Sequence, residues 1–308
     1  LLVVIARIAI EKGNIMIRCV LRCLFACSFI GFSTLSVGEI TQSKVLDEGG
    51  SGQYKAVVTT DSALPEFVIY QPLDIRQAAL AEQRLPVVIF ANGGCNDTSY
   101  PFEHMLSDIA SHGYLVIALG AMQQRLDDRP IVKASNDMMV DALDWIAQAT
   151  KDKNSRYFDS ADMKRVAYAG QSCGGAQLLA MAEEPRVQTF LMFNSGIGDM
   201  TMAQANKSSL LSLHGPVLYL VGGETDVATA NALLDYERIE HVPVALANHA
   251  NAGHSGTFEE PFGGSFSRMA IKWLDWQLKG VSANSATFLA NDVKGFSDWS
   301  VKAKQFTR

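Results

Sequence analysis

Basic runs are absent from the 308 residues, and 26 lysines and arginines are outnumbered by 32 aspartates and glutamates, a formal net charge of −6. A chain of that sign without a concentrated positive patch is a poor fit to nucleic acid or to an anionic membrane. Proline is sparse, at nine residues, and no Pro-rich linker, low-complexity tract or internal repeat divides the sequence. No Cys/His cluster has metal-ligand spacing, so no catalytic metal is expected. The glycine-rich stretch Gly170–Gly175 lacks the G-x-G-x-x-G spacing of a dinucleotide site, and no cofactor is expected either. Long hydrophobic runs are lacking too. The stretch from Arg22 to Leu35 falls short of the roughly 20 apolar residues that a membrane span needs.

That stretch has another use. From Met16 the chain reads Ile17-Arg18-Cys19-Val20-Leu21-Arg22, then an apolar centre to Leu35, then Ser36-Val37-Gly38 before Glu39. A basic start, a short apolar core and small residues at the cleavage site describe a secretory signal peptide. Residues 1–15 read as sequence upstream of a start at Met16. A lipoprotein or an uncleaved anchor remains the alternative. The expected organisation is therefore residues 1–38 as upstream sequence and leader, and residues 39–308 as a single domain, secreted or periplasmic, with no integral span. Arg7, Lys12, Arg18 and Arg22 leave with the leader but only Glu11 does, so the mature chain is more acidic still. Cys19, Cys23 and Cys27 leave as well, and Cys95 and Cys173 remain.

Between about residue 54 and residue 280, strand and helix patterns alternate. Strand-like segments are Lys55–Thr60, Glu66–Gln71, Pro86–Ala91, Tyr114–Leu119, Lys164–Ala169, Val187–Asn194, Pro216–Val221 and Val242–Ala247. Several are unbroken aliphatic runs such as Val87-Val88-Ile89-Phe90, the pattern of strands buried on both faces. Helical patterns fall between them at Phe102–Ser111, Ala134–Thr150, Cys173–Glu183, Val227–Ile239 and Ser265–Leu278. This order predicts an α/β fold with helices on both faces of a mostly parallel sheet of about eight strands, the first two forming an antiparallel edge. The tail Val281–Arg308, with Phe288, Leu289, Phe296 and Trp299, is expected to pack against the same domain.

One segment carries chemistry. Lys164–Ala169, Gly170-Gln171-Ser172-Cys173-Gly174-Gly175 and Ala176–Ala182 read as strand, G-x-S-x-G and helix, the nucleophile elbow of a serine hydrolase. The glycines allow backbones to approach closely around a serine held in a strained turn. A glycine-rich turn with an incidental serine is the bland alternative. A serine needs a base, and the base an orienting carboxylate. After Pro216–Val221 comes Gly222-Gly223-Glu224-Thr225-Asp226, and after the last strand comes Asn248-His249-Ala250-Asn251-Ala252-Gly253-His254. Asp226 is the preferred acid, with Asp199 and Glu224 as rivals. His254 is the preferred base, with His249 as rival. His104, His112, His214 and His241 read as structural or surface residues.

With this elbow, Gly-Gly-x-x-Asp and Gly-His in that order, the chain resembles an α/β-hydrolase-fold serine esterase. It is similar to the compact branch of dienelactone-hydrolase-like and polyester-hydrolase-like (cutinase-type) secreted enzymes. The resemblance covers roughly residues 54–280. It implies a carboxylic-ester hydrolase working through an acyl-enzyme, on a small or polymeric ester. Cys173 departs from the polyester-hydrolase pattern. Dienelactone hydrolases use a cysteine nucleophile, yet Cys173 lies one place past the elbow apex, and shifting the frame puts Gln171 where a glycine is required. The same residues would serve an amidase, a peptidase or an acyltransferase, and a non-catalytic binder on this fold is a further alternative.

An oxyanion hole should combine the N–H of Cys173 with one from Asn92-Gly93-Gly94-Cys95-Asn96, Gly94 first and Cys95 second. Donors converging on one oxygen bring their segments together. Cys95 and Cys173 are then either bridged by a disulfide or two small thiols packed against the sheet. No insertion is long enough for a large lid, so an open cleft is expected, flanked by Tyr100, Met122 or Phe258. Asn96-Asp97-Thr98 and Asn206-Lys207-Ser208 have the N-glycosylation pattern, relevant only in a eukaryotic secretory pathway.

Overall fold

The computed structural model describes residues 38–306. The expected leader, up to Val37, lies outside the described residues. From residue 38 onward the chain builds a ten-stranded sheet around which everything else is arranged. The strands are β1 (Ile40–Lys44), β2 (Ala56–Asp61), β3 (Leu64–Pro72), β4 (Leu85–Ala91), β5 (Leu115–Leu119), β6 (Ala161–Gln171), β7 (Thr189–Phe193), β8 (Val217–Val221), β9 (Val244–His249) and β10 (Trp299–Lys304). Their spatial order is β1-β2-β3-β5-β4-β6-β7-β8-β9-β10. The six strands from β5 across to β9 run parallel; β1, β2, β3 and β10 pair antiparallel with their neighbours.

Among the described residues, seven α-helices fill the crossovers and the tail: α1 (Ile75–Ala81), α2 (Glu103–Ser111), α3 (Met138–Ala149), α4 (Cys173–Ala180), α5 (Thr229–Arg238), α6 (Gly264–Lys279) and α7 (Ser285–Leu289). They divide between two cores. Residues of α1, α3, α4 and α5 pack on one face of the sheet, and residues of α2, α6 and α7 on the other. Strand β4 explains the unbroken apolar runs: Val87 and Ile89 enter the first core, Val88 and Phe90 the second. With water on neither side, alternation has no reason to exist.

The expected eight strands are all present, and two more flank them. Strand β1 is mostly exposed and polar, and β10 buries Trp299 and Val301 while its alternate residues face outward. Edge strands carry at most half the apolar signal of a central one, which is why neither stood out. In the tail Phe288, Phe296 and Trp299 pack into the second core while Leu289 is exposed, and β10 pairs alongside β9. Helix α1 is a further addition, its first turn capped by Asp74 Oδ1 accepting from Gln77 N at 2.9 Å. The parallel strands share a direction, so their carboxyl ends deliver the segments after Ala91, Gln171, Phe193, Val221 and His249 to one edge of the sheet. This is the α/β-hydrolase fold.

Candidate active site

Ser172 stands between the last residue of β6 and the first of α4, with φ +53° and ψ −117°. A side-chain-bearing residue adopts that conformation only under constraint, at a cost on the order of 1–3 kcal/mol. The constraint comes from its neighbours. Its N–H donates to the Phe193 carbonyl (3.0 Å), and its carbonyl accepts from Gly175 N (3.0 Å) and Ser195 Oγ (2.8 Å). The glycines behave as the motif predicts. A Cβ on Gly170 would overlap the Gly174 carbonyl, and one on Gly174 would overlap the Ala91 carbonyl.

The residues singled out after β8 and β9 meet this serine. His254 Nε2 lies 2.9 Å from Ser172 Oγ, and His254 Nδ1 lies 2.7 Å from Asp226 Oδ1. The Asp226 side chain is fully buried, whereas that of His254 is 35% exposed. Burial alone would raise the Asp226 pKa. Donors from His254, Ala228 N (3.0 Å), Gly222 N (2.9 Å) and Asn194 Nδ2 (2.8 Å) outweigh it and hold the carboxyl below its ordinary value. An ionised Asp226 only accepts, so Nδ1 of His254 carries the ring proton and Nε2 is left to accept from the serine hydroxyl.

The rivals lie elsewhere. Asp199 is exposed and pairs with Arg238 (2.8 Å), and Glu224 is exposed in its loop. His249 ends β9 with its ring against Trp299 and Phe266, its Nδ1 accepting from Asn251 N (3.2 Å). His104 meets Asp47, His112 meets Ser51, and His214 and His241 contact backbone carbonyls.

Cys95 and Cys173 are joined by a disulfide, with Cα atoms 5.0 Å apart. The bridge excludes free thiols packed on the sheet, and a bonded sulfur is not available as a nucleophile. It ties the loop after β4 to the first turn of α4. In that loop Cys95 N–H is engaged by the Asn92 carbonyl (3.1 Å), and Gly94 takes φ +64°. Among the described residues, neither Gly94 N–H nor Cys173 N–H has an acceptor. Asn92 braces the loop from beneath, donating to the carbonyls of Asn96 (2.9 Å) and Leu119 (2.6 Å).

A cavity of about 90 Å³ opens beside Ser172 and His254, lined by Ala176, Ile197, Met200, Met202, Val227 and Asn231 among others. The expected flanking residues are displaced from it. Phe258 is buried in an aromatic group with Phe102, Phe193 and Phe266, Met122 is buried, and the Tyr100 ring faces the Lys44 ammonium. Gln171 and Asn194 carry no catalytic pattern in the sequence, yet both touch the site. Gln171 Nε2 donates to the His254 carbonyl (3.0 Å), and Asn194 reaches both Asp226 and the Gly253 carbonyl. The available signal was an amide side chain closing a buried apolar strand run at its carboxyl end.

Among curated proteins none matches the chain in sequence. The model of one family does match, over residues 69–296, a span that takes in the elbow, the loop after β4 and the loops bearing Asp226 and His254. That span covers most of the chain, which therefore belongs to the PET hydrolase-like family, α/β-hydrolases that cleave ester bonds.

Proposed function

We propose that this chain is a secreted carboxylic-ester hydrolase that works through an acyl-enzyme formed on Ser172. Ser172 Oγ attacks the ester carbonyl as His254 Nε2 takes its proton. The charge that develops on the carbonyl oxygen is received by the N–H groups of Cys173 and Gly94, each contributing a factor of about 10²–10³ in rate. Asp226 holds the imidazole in the required tautomer and faces the positive charge it acquires. The protonated imidazole then hands its proton to the departing alcohol. Water repeats the sequence and releases the acid.

The observation that carries this reading is the unbroken relay from Ser172 through His254 to Asp226, at 2.9 Å and 2.7 Å, with the serine at a strained apex. The family's name points to a polyester, and the open cleft is compatible with a polymeric or a small ester. Secretion rests on the leader pattern before Glu39 and on the disulfide, which suits an oxidising compartment.

Turnover of p-nitrophenyl esters of graded acyl length tests the proposal, with S172A as the control. Loss of the nucleophile should lower kcat by a factor on the order of 10⁴–10⁶. Retained turnover in S172A overturns the assignment. Faster cleavage of matched anilides than of the esters would place the chemistry with the amidases instead.

A further inference from the structure

We propose that Asn194 is a positioning residue whose carboxamide locks the acid and the base loop to one another. The proposal rests on the roles given above to Ser172, His254 and Asp226.

Asn194 directly follows β7, is fully buried and has φ +41°. Its Nδ2 donates to Asp226 Oδ2 at 2.8 Å and to the Gly253 carbonyl at 2.9 Å. Both partners only accept, so the end of the carboxamide facing them must be the NH₂ group, with one hydrogen for each. No other uncharged side chain of this size offers two donors at one point. Serine has one, leucine none, and aspartate would set a second carboxylate against Asp226. Gly253 is the residue before His254, and the next carbonyl along, that of His254, is held by Gln171 Nε2 at 3.0 Å. Consecutive carbonyls of the base loop are thus pinned by amides at the ends of neighbouring strands.

The consequence for the relay is directional. Oδ2 of Asp226 is filled by Asn194 and Gly222 N, leaving Oδ1 to His254 and Ala228 N. The imidazole has one place to point its Nδ1 proton, in line with Ser172. Among the described residues Asn194 Oδ1 is buried without a protein hydrogen-bond partner, so the contacts of the carboxamide are those of its NH₂ group. A need for φ above zero is met as well by glycine.

The test uses the purified full chain with N194G, which tolerates the backbone, and N194L, which keeps the branched shape but removes the donors. Thermal midpoints establish the folded fraction. With a soluble ester, kcat per folded molecule should fall about 10- to 100-fold with KM changed by less than threefold. The downfield NMR resonance of the His254 Nδ1 proton should shift or broaden. If N194L does not fold, N194G alone decides. A folded variant that keeps kcat within threefold and an unmoved resonance overturns the proposal. Parallel measurement of S172A separates the two failures. An active S172A removes the functional reading, whereas an inactive S172A with an undisturbed Asn194 variant removes only the role of Asn194.

Discussion

At the residue scale, the buried carboxylate of Asp226 is the group whose environment says most. Its four donors hold the native pKa below the ordinary carboxylate value despite burial. A lowered native pKa means that the folded state binds its proton later than the unfolded chain. The stabilisation is full above about pH 4 and is lost as pH falls through the native value. Glu103 and Asp235, which burial pushes upward, contribute with the opposite sign, so the total acid-unfolding curve mixes the two. The difference between wild type and D226N isolates Asp226. In urea unfolding, that difference should be constant near neutral pH and shrink below about pH 4. A gap that widens on acidification would contradict the pKa direction. The same substitution should lower kcat by a factor on the order of 10⁴, because the imidazole loses the acceptor that selects its tautomer.

At the scale of elements, the disulfide joins two segments that the fold brings to one edge from different strands. It closes a loop with a sequence separation of 78, and a cross-link of that span stabilises by on the order of 4 kcal/mol through the unfolded chain. It also fixes the distance between the loop carrying Gly94 and the first turn of α4. Reduction, or the pair C95A/C173A, should therefore lower the thermal midpoint and kcat together, with KM moving less. Calorimetry and ester kinetics on oxidised and reduced protein read this out. Unchanged kcat in a reduced, folded sample would leave the bridge as a stabiliser alone. The elements themselves were largely legible. Central strands such as β4 and β8 announce themselves as apolar runs because both faces are covered. Edge strands β1 and β10 do not, since half of their residues face water.

At the scale of the whole molecule, the lining of the site is sparse: among the described residues no large element covers it. Among the described residues, the crossover from β7 to β8 holds only the short turn Lys207–Ser212, and that from β8 to β9 holds only α5. Exposed Met200 and Val227 border the cavity. Among the described residues nothing of lid size stands between solvent and Ser172. Initial rates with a short-chain ester should rise smoothly through the solubility limit, with no jump as droplets form. A steep rise at that point would require a covering segment. The described residues contain no helix long and apolar enough to cross a membrane.

The succession of strands and helices, the elbow around Ser172, and the two loops that carry Asp226 and His254 are all legible in the order of residues alone. Those properties are written in local patterns: apolar runs, glycines where backbones crowd, and chemistry at the carboxyl ends of strands. It took the packed fold to show that Cys95 and Cys173 are bonded rather than merely near, and that the cleft is bordered by Met200 and Val227 while Phe258 is buried. Only it brought the carboxamide of Asn194 between Asp226 and Gly253. Such contacts depend on the angle at which a loop leaves its strand. That angle is set by packing among residues far apart in the chain, and no local pattern encodes it.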